Sequence, residues 1–99
     1  METKVQLPEI YEKDVARAVA ILKAAGCAQV FLFGSLASGK IREGSDIDLA
    51  IRGCPEGSFF QLLGKLLLEL NHPVDLVNLD RPDPFARFLE TKGGLLQIG

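Results

Sequence analysis

Asp46 and Asp48 stand two residues apart in the stretch FLFGSLASGKIREGSDIDLAI, residues 31–51. Ile47, Leu49 and Ile51 alternate with Asp46, Asp48 and Ala50, which predicts a strand over 46–52 with both carboxylates on one face. Like charges at that spacing disfavour each other, and burying either without compensation is costly. A hard divalent cation relieves both penalties: Mg²⁺ typically takes one or two carboxylates, keeps some water and finishes its shell with substrate phosphates. Asp75, second in the run VDLVNL, supplies a third carboxylate near Asp48 if the two strands are neighbours, as sequential strands often are. Upstream, Gly34-Ser35 closes an apolar run. Glycine lets backbone approach a ligand, successive N–H groups at a strand-to-helix turn form an anion-binding concavity, and Ser35 adds a hydroxyl. Such a phosphate cradle facing a cation site suits a nucleoside triphosphate, where positioning and charge neutralisation do most of the catalytic work. Alone, the aspartate pair reads as an exposed strand edge; beside Gly34-Ser35 the cation reading prevails.

The elements that must hold these residues follow from local pattern. Pro8 and Glu9 open a helix whose apolar positions are Tyr11, Val15, Ala18, Val19 and Leu22, with Gly26 as its stop. Residues 28–33, AQVFLF, predict a strand covered on both faces. A second helix begins at Ser58 and ends before Asn71 and Pro73; its apolar residues surround most of the circumference, which predicts a largely buried helix. Residues 74–79 form a third strand. Asp83 caps a last helix with Pro84 at its first position and Gly93 at its end. The tail LLQIG is either an edge strand or a docking segment. The order αββαβα predicts an α/β (α+β) fold, a small mixed β-sheet with helices packed against it, as one domain over 1–99. Lys65 and Glu69 read as an exposed i,i+4 pair, His72 as a helix-end cap or solvated side chain, and Tyr11 as core or partner surface.

Composition narrows the function classes. Apolar residues at 47% and charged residues at 24% fit a globular domain with a real core. The apolar runs are too short to span a bilayer, and METKVQLPEI lacks the pattern of a secretory leader, which leads to an expected cytoplasmic location without membrane attachment. Cys27 and Cys54 have no metal-type spacing and read as two reduced thiols there. A net charge of −2, with Lys40 and Arg42 the only close basic pair near the aspartates, argues against stable binding of long nucleic acid.

The segment GSLASGKIREGSDIDL resembles the signature of the nucleotidyltransferase superfamily that includes DNA polymerase beta. The resemblance is closest to the minimal nucleotidyltransferases, small prokaryotic proteins paired with HEPN-domain partners. Gly34, Ser35, Gly39, Ser45, Asp46, Asp48 and Leu49 match its pattern, and Asp75 fits the later acidic position. The resemblance implies transfer of a nucleoside monophosphate from an NTP, ATP by preference, to a hydroxyl of a HEPN-type partner in a toxin–antitoxin pair. It implies Mg²⁺ or Mn²⁺ at Asp46 and Asp48, with Asp75 either binding the second metal or activating the acceptor hydroxyl, and with Gly34, Ser35, Ser45 and Lys40 on the nucleotide. Leu36 and Ser38 depart from the family's usual arginines in Gly-Ser-Arg-Ala-Arg-Gly. That departure keeps a second reading open, an antitoxin-like subunit that masks a HEPN partner without catalysis. The chain is also too small to recognise an acceptor unaided, which predicts such a partner or self-association.

Overall fold

The computed structural model describes residues 7–41 and 44–99; Arg42 of the expected basic pair and the first six residues of METKVQLPEI lie outside the described residues. The chain runs α1 (Glu9–Ala24), β1 (Gln29–Phe33), α2 (Gly34–Ser38), β2 (Ile47–Arg52), α3 (Phe59–Glu69), β3 (Val74–Asn78), α4 (Pro84–Lys92) and β4 (Leu96–Gln97). The four strands form one mixed sheet in the order β3-β2-β1-β4. β2 pairs antiparallel with β1 and parallel with β3, while β4 pairs antiparallel with β1. Two elements are additional to the expected order. The Gly34-Ser35 turn continues into the short helix α2, and the tail resolves as an edge strand.

Strand alternation divides the core between the two faces of the sheet. Val30, Leu32, Ile47, Leu49, Ile51, Val74 and Leu76 face α1 and α3, together with Leu36 of α2. Phe31, Phe33 and Ala50 face the other way, onto Leu79, Ala86 and Leu89 at α4. β1 is therefore covered on both sides, as its unbroken apolar run requires. The local signals at α4 act as expected: the Ala86 N–H donates to Asp83 Oδ2 at 3.1 Å, Pro84 opens the helix, and Gly93 ends it at φ 71°.

Three expectations fail for reasons of packing. α3 is not largely buried: Leu62, Leu66 and the following Leu70 make one stripe against the sheet, while Phe60, Leu67 and Leu68 face solvent. An isolated helix on a sheet can bury only one side, whatever its composition. Glu69 makes its ion pair across to Arg17 of α1, whose hydrogen bond and charge hold its carboxyl below the usual range, and Lys65 along its own helix adds only a smaller lowering charge. Cys27 and Cys54 are joined in a disulfide. The β1–β2 register, continued two steps past Gln29↔Arg52, sets these residues opposite each other, and the Ala28 N–H bonds to the carbonyls of Arg52 and Gly53 extend the ladder to them.

Candidate active site

The β1–β2–β3 register builds the acidic face. Asp48 sits between Phe33 on the antiparallel side and Asp75 on the parallel side. Adjacent strands lie about 4.8 Å apart, and register partners point to the same face, so Asp48 and Asp75 are lateral neighbours. Asp46, two residues earlier and just ahead of β2, precedes them at the sheet's edge. Asp48 is half-buried, whereas Asp46 and Asp75 are exposed. Burial, then the negative charge of Asp75, then that of Asp46 push the Asp48 carboxyl up to about 6. The α4-side core stops at Phe33, leaving the carboxylates beyond it uncovered.

Gly34 owes its identity to this site. It adopts φ 73°, and a Cβ placed there would lie 2.2 Å from Asp48 Oδ2. Both the positive φ and the approaching carboxylate exclude any other residue. Ser35 follows in the first turn of α2, where its carbonyl accepts from the Lys40 N–H at 3.1 Å, while Gly39 at φ 82° closes the helix. Lys40 is exposed at the start of the next loop. Leu36 points into the core at 1% exposure, and the Ser38 hydroxyl donates to the Ser35 carbonyl, so neither occupies the place of a phosphate-facing cation. Ser45 is half-buried, and its carbonyl accepts from the Tyr11 hydroxyl at 2.9 Å.

The structure thus brings Gly34, Asp46, Asp48 and Asp75 to one edge of the sheet, with Ser35 and Ser45 adjoining in sequence. The donor set is all hard oxygen, its central carboxyl is crowded by the charges of Asp75 and Asp46, and the glycine at position 34 lets that carboxyl sit against the backbone turn. These features fit Mg²⁺ or Mn²⁺. Among the described residues no three His, Cys, Asp or Glu side chains close around an ion by themselves. Two grooves of about 600 and 610 Å³, one beside Arg17, Gln61 and Lys65 and the other by Cys54 and Asp80, lie apart from Asp46, Asp48 and Asp75.

Sequence reasoning missed one cluster. Asp14, 3% exposed, accepts from the Asn71 N–H at 2.8 Å and from Asn71 Nδ2 at 3.2 Å, and lies 2.8 Å from His72 Nδ1. His72 in turn stacks on Tyr11, with ring centroids 4.3 Å apart. The signal available was Asp14 three residues after Tyr11, a charged residue on the apolar stripe of a helix.

Known proteins share this fold. The polymerase beta nucleotidyltransferase family matches residues 18–97. A structure solved as a candidate minimal nucleotidyltransferase is 30% identical, with TM-score 0.63 over 86% of this chain and 92% of that one. A toxin–antitoxin structure with AMP-PNP is 24% identical, with TM-score 0.65 over 87% of this chain and 70% of the other. A complex of a tri-AMPylated Shewanella oneidensis HEPN toxin with an MNT antitoxin is 21% identical, with TM-score 0.62 over 87% and 69%. The likeness to these two complexes is one of fold. No curated protein is matched. The chain belongs to the polymerase beta nucleotidyltransferase family and, within it, to the minimal nucleotidyltransferases. Among the described residues no helix is long and apolar enough to cross a membrane.

Proposed function

We propose that the protein, as a single minimal domain, transfers a nucleoside monophosphate from an NTP, ATP by preference, to a hydroxyl on a HEPN-type partner protein. The observation that carries this reading is Asp48, flanked by Asp75 in register and by Asp46 in sequence, raised to about 6, and seated against Gly34. In the reading, Asp46 and Asp48 hold Mg²⁺ or Mn²⁺ with Asp75 as the third carboxylate. Gly34 and Ser35 hold phosphates, and Ser45 and Lys40 flank the nucleotide. The bound cation supplies charge neutralisation for the triphosphate and for the departing pyrophosphate. The acceptor oxygen forms a bond to the α-phosphorus while the bond from that phosphorus to the bridging oxygen breaks. The electron pair leaves with pyrophosphate, and Asp75 takes the hydroxyl proton. The open acidic edge suits an acceptor carried on another protein. The solved complex of an AMPylated HEPN toxin with its antitoxin, and the AMP-PNP in a second such structure, support the choice of acceptor class and of an adenine nucleotide. Exposed Phe60, Leu67 and Leu68 on α3 supply apolar surface for a partner or a second copy.

Leu36 favours a second reading. Its side chain is core, and neither Leu36 nor Ser38 is the arginine that the family commonly places in this turn. In this reading the chain is a catalytically weak or inactive subunit that masks a HEPN partner. One incubation separates the two: labelled ATP, Mg²⁺, this protein and its genomic-neighbour protein. Label on the partner selects the transferase; a stable complex without label selects the masking subunit; neither overturns both.

A further inference from the structure

We propose that Tyr11 is a positioning residue for Asp46, held in place by His72 and the buried carboxylate of Asp14. The proposal rests on the reading of Asp46 and Asp48 as cation ligands. Asp46 is the weakest-anchored member of that pair. It is exposed, it precedes the first residue of β2, and the sheet ladder begins only at Ile47. Two bonds from elsewhere bracket it. On one side the Tyr11 hydroxyl donates to the Ser45 carbonyl at 2.9 Å, across 34 residues of sequence. On the other the Ile47 N–H donates to the Pro73 carbonyl at 2.9 Å.

Both bonds trace back to one acid. Tyr11 is 2% exposed, and its ring stacks on His72 at 29° between planes. His72 contacts Asp14 Oδ2 through Nδ1 at 2.8 Å, and the same carboxylate accepts from the backbone and side chain of Asn71. Asp14 thus fastens residues 71 and 72 to α1, and the adjoining Pro73 carbonyl holds the far side of Asp46. A buried carboxylate is retained at a cost unless its partners satisfy it, and here three donors converge on it. The result is a rigid frame around the one cation ligand that lies outside the sheet. Such supports matter because a carboxylate displaced by about 1 Å loses much of its value to a bound ion.

The test is Mn²⁺ affinity, measured by calorimetry without nucleotide on the full oxidised chain. Tyr11→Phe keeps the ring and removes only the hydroxyl. Leu89→Val, in the α4-side core and outside the Asp14–His72–Tyr11 frame, controls for lost stability. Tyr11→Phe is expected to weaken Mn²⁺ binding ~5-fold, the scale of one buried hydrogen bond, while Leu89→Val leaves it unchanged. Wild-type affinity in Tyr11→Phe, or an equal loss in both variants, overturns the positioning role. If the wild type binds no Mn²⁺ alone, the same titrations are run with a non-hydrolysable ATP analogue supplying the phosphate oxygens, and no binding there fails the cation site and the role with it; if Asp46→Asn weakens binding and Tyr11→Phe does not, only the role of Tyr11 is lost. Should Tyr11→Phe not fold, His72→Ala removes the stacked support, and the same loss relative to Leu89→Val is expected, with no loss counting against the proposal.

Discussion

Replacing Asp48 with asparagine should make the cation-free protein more stable at neutral pH. The carboxyl moves from 3.8 in the unfolded chain to about 6 in the folded one, through burial first and the charges of Asp75 and Asp46 after it. A carboxyl with a raised folded-state pKa binds its proton more tightly in the folded chain. The resulting penalty is absent below about pH 4, where both states are protonated. It grows as pH rises between 3.8 and about 6, and is complete above that window. At 1.36 kcal/mol per pKa unit the ceiling is ~3 kcal/mol. Asp48 is only half-buried, and solvent screening reduces this to ~1–2 kcal/mol. With a urea m-value of ~1 kcal/mol/M for a chain of this size, the midpoint of Asp48→Asn should rise by roughly 1–2 M at pH 8. The two proteins should converge towards pH 4. Mn²⁺ should also narrow the gap at pH 8, because only the wild type offers the full carboxylate set. Equal or lower stability of Asp48→Asn at pH 8, or an advantage that persists undiminished at pH 4, refutes the reasoning.

Asp75→Asn should lower the single-turnover transfer rate at saturating ATP by ~10²-fold or more while nucleotide binding persists, as expected for a group acting mainly in the transition state; an unchanged rate removes Asp75 from the chemistry. Asp83→Ala, which deletes the bond from the Ala86 N–H, should cost ~1 kcal/mol in urea denaturation. Opening the Cys27–Cys54 bond, which closes a separation of 27 residues, should cost ~3 kcal/mol, read as a midpoint shift with and without reductant. Phe60→Asp with Leu68→Asp should abolish co-elution with the HEPN-type partner and any self-association, since these side chains are 79% and 88% exposed; light scattering that shows an unaltered complex would exclude this face of α3.

Local pattern alone determined much of the molecule. Asp83, Pro84 and Gly93 bound α4 because capping, fixed proline φ and glycine's left-handed freedom act within a few residues. The alternation of Ile47 to Ile51 assigned faces to β2 and put Asp48 on the one it shares with Ala50, because strand geometry has a period of two, whereas the strand expected from Asp46 begins only at Ile47. The Gly-Ser step and the acidic pair likewise announced a nucleotidyltransferase-type segment. Tertiary structure decided what depends on partners distant in sequence. The neighbour of Asp48 became Asp75 only through the parallel register of β2 and β3. The reason for glycine at position 34 became evident only with Asp48 Oδ2 beside it. α3 carries apolar residues round most of its surface, yet a helix lying on a sheet can bury only the side that touches it, so Leu68 is exposed and Leu66 is not. Cys27 and Cys54 pair because the β1–β2 register, continued beyond the strands, opposes them, a fact of alignment that their spacing does not carry. Asp14 resembles any helix carboxylate in the sequence; its burial against Asn71 and His72 follows from where the α3–β3 turn meets α1.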